Sequence, residues 1–367
     1  MKKLSDPVRK VNAQSVGLDV HKGVTVFSVL DAQGRLTREG RIPSRRAELD
    51  RLISELLADG EAHFAIEASR SSLWVYQVIR AHVDEAHAHV AQAKKIRAIA
   101  NSNAKNDQND AWWLAYLTYE GRLPEAHVPP AKILELRIAT RERHSAVRRR
   151  TQIISRLKAH FAQVGEVVPG SSIKTRAARL FIAEKALEAA GMRGRALRSC
   201  IDELAYQDAA IEEWEQAIEE ISATLPAVEL VEREIPGVGK ALAASIVAEA
   251  SEITRFHSAK AFGAATGLTP SDRSTSGRTK HGGISRDGNP HLRWALTQAA
   301  MGCLRMRRGP GLAVGDWIRT KQKRMGNKAR ARAAGGRKLA EAIWRLFHLG
   351  ECFDAARAFG GRPTQVN

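Results

Sequence analysis

The first 120 residues switch repeatedly between two hydrophobic periods, and that alternation limits the possible folds more than any other feature. Gly17 to Val20 and Val24 to Leu30 are apolar, β-branched runs; Asp31-Ala32-Gln33-Gly34 reads as a hairpin turn, and Arg35 to Ile42 as a third strand. Residues 45–58 carry Leu49, Leu52, Ile53, Leu56 and Leu57 on one helical stripe. His63 to Glu67 is a fourth short strand, a helix follows from Leu73, Ala86 to Ala91 is a fifth strand, and a last helix opens near Asp107. The resulting order, βββαβαβα, is an α/β sheet opened by a three-strand meander.

That order is the one of a ribonuclease-H-like domain, and it gives four acidic residues special positions. Asp19, in Val16-Gly17-Leu18-Asp19-Val20-His21-Lys22, lies on the first strand, and Glu67, in Phe64-Ala65-Ile66-Glu67-Ala68-Ser69, ends the fourth. Asp107 and Asp110 open the last helix three residues apart, so they share a face. Carboxylates gathered this way suit Mg2+, a hard cation that prefers oxygen ligands and works on phosphates. Capping the helix start is the plainer role for Asp107 and Asp110.

The charge balance points to the same chemistry. With 58 Lys and Arg against 40 Asp and Glu, the net charge is +18, which favours a polyanionic partner. Nucleic acid fits better than a membrane, because no run approaches the roughly 20 apolar residues of a spanning helix. Met1-Lys2-Lys3 is followed by polar residues and not by a signal-like apolar stretch. Cys200, Cys303 and Cys352 have no metal-binding spacing, so reduced thiols in a cytoplasmic protein are expected.

Residues 130–165 form a basic helical pattern with Val147, Ile154 and Phe161 at heptad spacing among Arg148, Arg149, Arg150, Arg156 and Lys158. Residues 201–225 carry Leu204, Ile211, Trp214, Ile218, Ile221 and Leu225 at spacings of three and four, with Glu212, Glu213, Glu215, Glu219 and Glu220 on the remaining face. The two could pair as a coiled coil, within a chain or between subunits, or be two ordinary bundle helices. Ile235-Pro236-Gly237-Val238-Gly239-Lys240 before an Ala-rich helix resembles a helix-hairpin-helix element, which holds a DNA phosphate on backbone N–H groups; the same turn also serves as a simple cap. Residues 305–338 are strongly basic, and the following helix, Leu339 to Leu349, is core.

A second constellation runs from Gly267 to Arg293 and is rich in hydroxyls, glycines and guanidiniums. Serine hydroxyls attack phosphodiesters when activated, and Arg273, Arg278, Arg286 and Arg293 could stabilise the developing charge. By chemistry alone such a segment is more often a flexible turn.

Taken in order, the motifs Gly17-Leu18-Asp19-Val20-His21-Lys22, Ile66-Glu67-Ala68, Asp107-x-x-Asp110-Ala111, Ile235-Pro236-Gly237-Val238-Gly239, Gly267-Leu268-Thr269-Pro270, Ser276-Gly277 and Ile284-Ser285-Arg286-x-Gly288-Asn289-x-x-Leu292-Arg293 resemble the DEDD transposases of bacterial insertion sequences, the IS110 family. The resemblance implies a RuvC-like domain (12–125), a helical coiled-coil region (126–226), a mainly α C-terminal transposase domain with the serine motif and the helix-hairpin-helix-like element (227–350), and a tail (351–367). It implies Asp19, Glu67, Asp107 and Asp110 as a Mg2+-binding tetrad, and a serine that attacks DNA to give a 5′-phosphoserine link. Matching on the Ser-Gly pair selects Ser276, with Ser274 in reserve, because Ser274-Thr275-Ser276-Gly277 is one residue longer than the family pattern. Gly237, Gly239, Lys240, Arg273, Arg278, Arg286 and Arg293 are the candidate nucleic-acid contacts. The implied partners are donor and target DNA, a structured guide RNA and further copies of the chain in a dimer or tetramer. The alternatives are a RuvC-like junction resolvase or endonuclease with no covalent intermediate, and a non-catalytic nucleic-acid binder.

Overall fold

The computed structural model describes residues 10–69, 71–92, 95–96, 107–170, 172–173, 175–275, 278–284 and 288–360; side chains at 107–108, 270–275 and 278–284 lie outside that description. Two compact units divide the chain, Met1–Val128 and Pro129–Asn367.

The first unit is built on β1 (Gln14–Val20), β2 (Val24–Leu30), β3 (Leu36–Pro43), α1 (Arg46–Ala58), β4 (Ala62–Glu67), α2 (Ser72–His82), β5 (Ala88–Ala91) and α3 (Asp107–Tyr119). The strands form one mixed sheet in the order β3-β2-β1-β4-β5, with β1 antiparallel to β2 and parallel to β4. This is the expected meander followed by parallel strands, compatible with a ribonuclease-H-like domain. The first strand begins three residues earlier than expected, at Gln14, and the fifth begins later, at Ala88, because Glu85–His87 is a 3-10 turn. The turn wins because the His87 N–H donates to the Asp84 carbonyl at 3.3 Å, which closes the backbone locally before strand pairing starts.

The two faces of the sheet have different side chains, as the period of two demands. Val16, Leu18, Phe64 and Ile66 point one way and bury against α1 and α2. Ser15, Gly17, Ser28 and Ala65 point the other way, toward α3, and are all small. Smallness is required there. A Cβ on Gly17 would sit 2.0 Å from the Ala111 carbonyl oxygen and 2.6 Å from the Ala115 nitrogen, so α3 crosses the sheet in direct backbone contact. Gly17→Ala is expected to lift that helix, at about 1–3 kcal/mol or more. A denaturant midpoint within experimental error of wild type would refute the close crossing.

In the second unit the two long helices are α4 (Ala131–Ala162) and α6 (Gly191–Ser222), with α5 (Arg176–Glu188) between them in sequence. Arg143 pairs with Glu215, Arg150 with Asp208 and Arg156 with Glu203, at 2.5, 3.1 and 2.8 Å. Partner numbers fall as the first numbers rise, so the basic and acidic helices pack antiparallel within one chain. On α6 the expected seam holds, with Leu204, Ile211 and Ile218 buried. On α4 it is shifted: Ala139, Ala146, Ile153 and Leu157 are buried with Phe161, while Val147 and Ile154 lie beside the seam. Arginines misled the pattern. Arg143 and Arg150 lie next to the seam, where they reach across to acids on α6. The exposed pair Arg156–Glu203 contributes little, and the apolar seam carries most of the association.

After α7 (Pro226–Glu234) and α8 (Lys240–Ala250) come α9 (Ala259–Ala265), strands β6 (Pro270–Thr275) and β7 (Arg278–Ile284), α10 (Pro290–Cys303), α11 (Pro310–Met325), α12 (Lys328–Leu349) and α13 (Ala355–Phe359). The helices close over one apolar core that includes Ile246, Phe262, Leu296, Ile318 and Ile343. Phe359 is buried against it and meets the Trp317 ring edge-on. The hydroxyl- and arginine-rich segment is not an open loop: β6 and β7 pair antiparallel from Pro270↔Ile284 to Thr275↔Arg278.

Candidate active site

The acids of the first unit are gathered by strand register. β1 and β4 are parallel neighbours, paired as Gly17↔Ala65 and Leu18↔Ile66. Asp19 and Glu67 each follow next, so they stand side by side at the carboxyl ends of adjacent strands. Both lie two residues beyond a position that faces α3, Gly17 and Ala65 respectively, and therefore on that same face. Asp19 is buried at 6 % exposure and bonds His21 Nε2 at 3.0 Å; Glu67 is half-buried.

The direction of α3 brings the other two acids toward the same end. Its last residue, Tyr119, lies over the start of the sheet, where its carbonyl accepts from the Val11 N–H and its ring packs near Leu30, the partner of Ser15. Ala111, two turns earlier, crosses Gly17. The helix therefore runs antiparallel to β1, and its first turn, with Asp107 and Asp110, extends toward the end of β1 that carries Asp19. Asp110 is exposed, and the side chain of Asp107 lies outside the described residues. The positive end of the helix dipole faces these carboxylates. His21, the hydrogen-bond partner of Asp19, also lines a cavity of 640 Å³ whose wall carries the cations Lys22 and Arg41.

In the second unit, the turn between α7 and α8 separates the roles of its glycines. Gly237 has φ +77° and packs onto α10, where a Cβ would lie 2.5 Å from the Ala299 carbonyl oxygen. Positive φ and this close packing both require glycine there. Gly239 caps α8 with open space over it, beside a 320 Å³ cavity lined by Arg143, Lys240 and Trp294. The Lys240 ammonium is paired with Glu219. His144 stacks on Trp294 at 3.9 Å, and burial with neighbouring His291, Arg148 and Arg143 pushes its imidazole below the usual range.

The β6–β7 hairpin is pinned at its base. Gly288 packs directly on Gly267, where a Cβ would meet the Gly267 nitrogen at 2.1 Å. The Asn289 N–H donates to the Ala265 carbonyl, and its side chain caps α10 and donates to Glu249 at 2.8 Å. Glu249, with a carboxylate only 1 % exposed, is gripped by Arg141 at 2.7 and 2.9 Å and approached by Arg137 at 3.7 Å. Burial pushes its carboxyl up, but the Arg141 and Asn289 hydrogen bonds outweigh this and hold it below the usual range. The sequence reading missed this group, since a glutamate in an Ala-rich helix carries no local signal. Ser274 lies on β6 opposite Thr279. Arg273 and Arg278 lie on β6 and β7, whereas Ser276 and Arg286 fall outside the described residues. Arg293, half-buried on α10, donates to the Gly267 carbonyl at 3.4 Å.

Comparison with known proteins adds an independent line. Residues 16–165 match the DEDD IS110 model, described as Transposase. Residues 231–313 match the Transposase IS116/IS110/IS902 family. The transposase for insertion sequence element IS1111A of Coxiella burnetii is 28% identical over 261 residues, 70% of this chain and 70% of the relative. A Sinorhizobium fredii protein assigned as transposase y4qE is 27% identical over 290 residues, 78% of this chain and 70% of its own.

Proposed function

The chain belongs to the IS110 family of insertion-sequence transposases, and from that premise we propose that it cuts and rejoins DNA through a serine nucleophile assisted by a Mg2+-binding acidic tetrad. The observation that carries the acidic half is the register that sets Asp19 beside Glu67 on the face crossed by α3. Two carboxylates so close repel one another, and a divalent cation relieves the repulsion; the donor set, all hard oxygens, fits Mg2+. Asp19, Glu67, Asp107 and Asp110 would hold it, and bound there it would neutralise charge on the scissile phosphate.

Ser276 is the proposed nucleophile. Its Oγ attacks phosphorus as its proton leaves to a base, the bond to the 3′-oxygen breaks, and that oxygen departs as a 3′-hydroxyl once protonated. The phosphate stays on serine as a 5′ ester, conserving the bond for rejoining. Arg273, Arg278, Arg286 and Arg293, from the same segment, would counter the charge of the transition state. Gly239 and Lys240 are proposed to contact backbone phosphate at the start of α8. The family reading adds a structured guide RNA that selects donor and target DNA by base pairing, and assembly of the chain as a dimer or tetramer. The basic protein surface would then read backbone and shape, with affinity falling steeply in salt.

The test is a denaturation-resistant adduct. Wild-type protein with its element DNA and co-purifying RNA is expected to give a covalent protein–DNA species on a denaturing gel, and Ser276→Ala to give none. An adduct that survives in Ser276→Ala and disappears in Ser274→Ala would move the nucleophile to Ser274. Cleavage with no adduct in the wild type would instead favour the hydrolytic, resolvase-like reading.

A further inference from the structure

At the opposite end of β4 from Glu67 lies a second polar cluster that the acidic site does not use. Glu61 and His63 are two residues apart at the start of that strand, so they share a side, and the 3-10 turn before β5 delivers His87 between them. The His87 Nε2 is 2.5 Å from Glu61 Oε1, and the rings of His63 and His87 are 4.5 Å apart. One ligand atom from each of Glu61, His63 and His87 lies within 4.8 Å of the other two. Four-coordinate zinc with bonds of about 2.0–2.1 Å needs ligand atoms about 3.3 Å apart, so the trio lies within reach of one ion once Glu61 and His87, here in direct hydrogen bond, part by under about 1 Å.

We propose that Glu61, His63 and His87 form a structural site for a single zinc-class divalent cation, distinct from the acidic tetrad. The surrounding hydrogen bonds argue for a site that is oriented beyond its three ligands. His87 Nδ1 bonds Asp84 Oδ1, which leaves Nε2 to face Glu61. His63 Nδ1 bonds His89 Nε2 at 3.0 Å, and His89 Nδ1 bonds Glu125 Oε1 at 2.7 Å. A carboxylate or a neighbouring polar group fixing the far nitrogen of each imidazole is how metal-binding histidines are held in one tautomer and rotamer. Imidazole nitrogens and one carboxylate suit zinc, whereas Mg2+ prefers oxygen alone. Six positions apart along the strand, Glu61 and Glu67 are about 20 Å from one another, too far to share an ion. The cation would clasp the start of β4 to the turn before β5. Through His89 and Glu125 it would also brace residues 124–126, which pair along the sheet edge.

The test uses the full-length protein, stripped of metal and titrated with ZnCl2 against a chromophoric chelator and, separately, with CoCl2. One saturable zinc equivalent per chain is expected, together with the visible d–d bands of tetrahedral Co2+ and a rise in melting temperature. His63→Ala with His87→Ala should lose that equivalent, and Asp84→Asn should weaken it roughly 10–100-fold. Asp19→Asn with Glu67→Gln should keep it, which separates this site from the tetrad. A measurement on unaltered protein guards against misfolded variants: zinc should protect His63 and His87 from diethyl pyrocarbonate. No saturable zinc in the wild type, retention of zinc by the double histidine variant, or unprotected histidines would each mean a hydrogen-bonded cluster only and overturn the proposal.

Discussion

Asp19→Asn is expected to stop strand exchange, with a fall of about a hundred- to a thousandfold or more, while leaving the protein folded. The variant keeps the shape of the side chain and an oxygen that can accept from His21, 3.0 Å away. It also removes one of two neighbouring carboxylate charges, so without divalent cations its melting temperature should equal or exceed that of the wild type. What it should lose is the increment in melting temperature that Mg2+ gives the wild type. Recombination assays and melting curves with and without Mg2+ measure the two effects separately. Strand exchange at the wild-type rate would remove Asp19, and with it the tetrad, from the mechanism.

The second large effect is structural. Glu249→Ala should destabilise the second unit by about 3 kcal/mol, the low end for a broken buried ion pair, because Arg141 is 43 % exposed and can rehydrate. The loss also frees Asn289 and hence the base of the β6–β7 hairpin, so recombination should fall further than stability alone explains. Glu249→Gln, which retains an acceptor for Asn289, should be milder on both counts. The pH dependence has a definite sign. The folded-state carboxyl is held below its unfolded value, so its contribution is present above the ordinary glutamate range and is lost as pH falls through the lower, folded value. Denaturant midpoints from neutral to acidic pH should therefore converge for wild type and Glu249→Gln at the acid end. A constant gap would show that the ionised carboxylate is not what Arg141 and Asn289 bind.

Much of the first unit was legible in the chain because its signals are local. Alternating Val, Leu and Phe mark strands, the Leu stripe from Leu49 to Leu57 marks α1, and Asp-Ala-Gln-Gly marks the hairpin turn at 31–34. The acids could be singled out because they sit at the ends of those elements. That Asp19 stands beside Glu67 depended on strand register, and the close passage of α3 depended on Gly17, which admits it at backbone distance.

Patterns failed where distant residues decide the outcome. The strands β6 and β7 are polar and Gly-rich, with no apolar alternation to announce them, and exist through pairing with each other. Val147 and Ile154 keep a heptad on paper, yet α4 turns Ala146 and Ile153 into the seam because the opposing surface of α6 selects them. The amino-acid sequence by itself determined the order of elements, the acidic residues at their ends and the family, since period, turn chemistry and motif order are properties of short stretches. Tertiary structure alone decided that the two long helices pair within one chain, that Glu249 locks the hairpin base, and that Glu61, His63 and His87 meet. Those are contacts between side chains far apart along the chain, and only packing brings them within bonding distance.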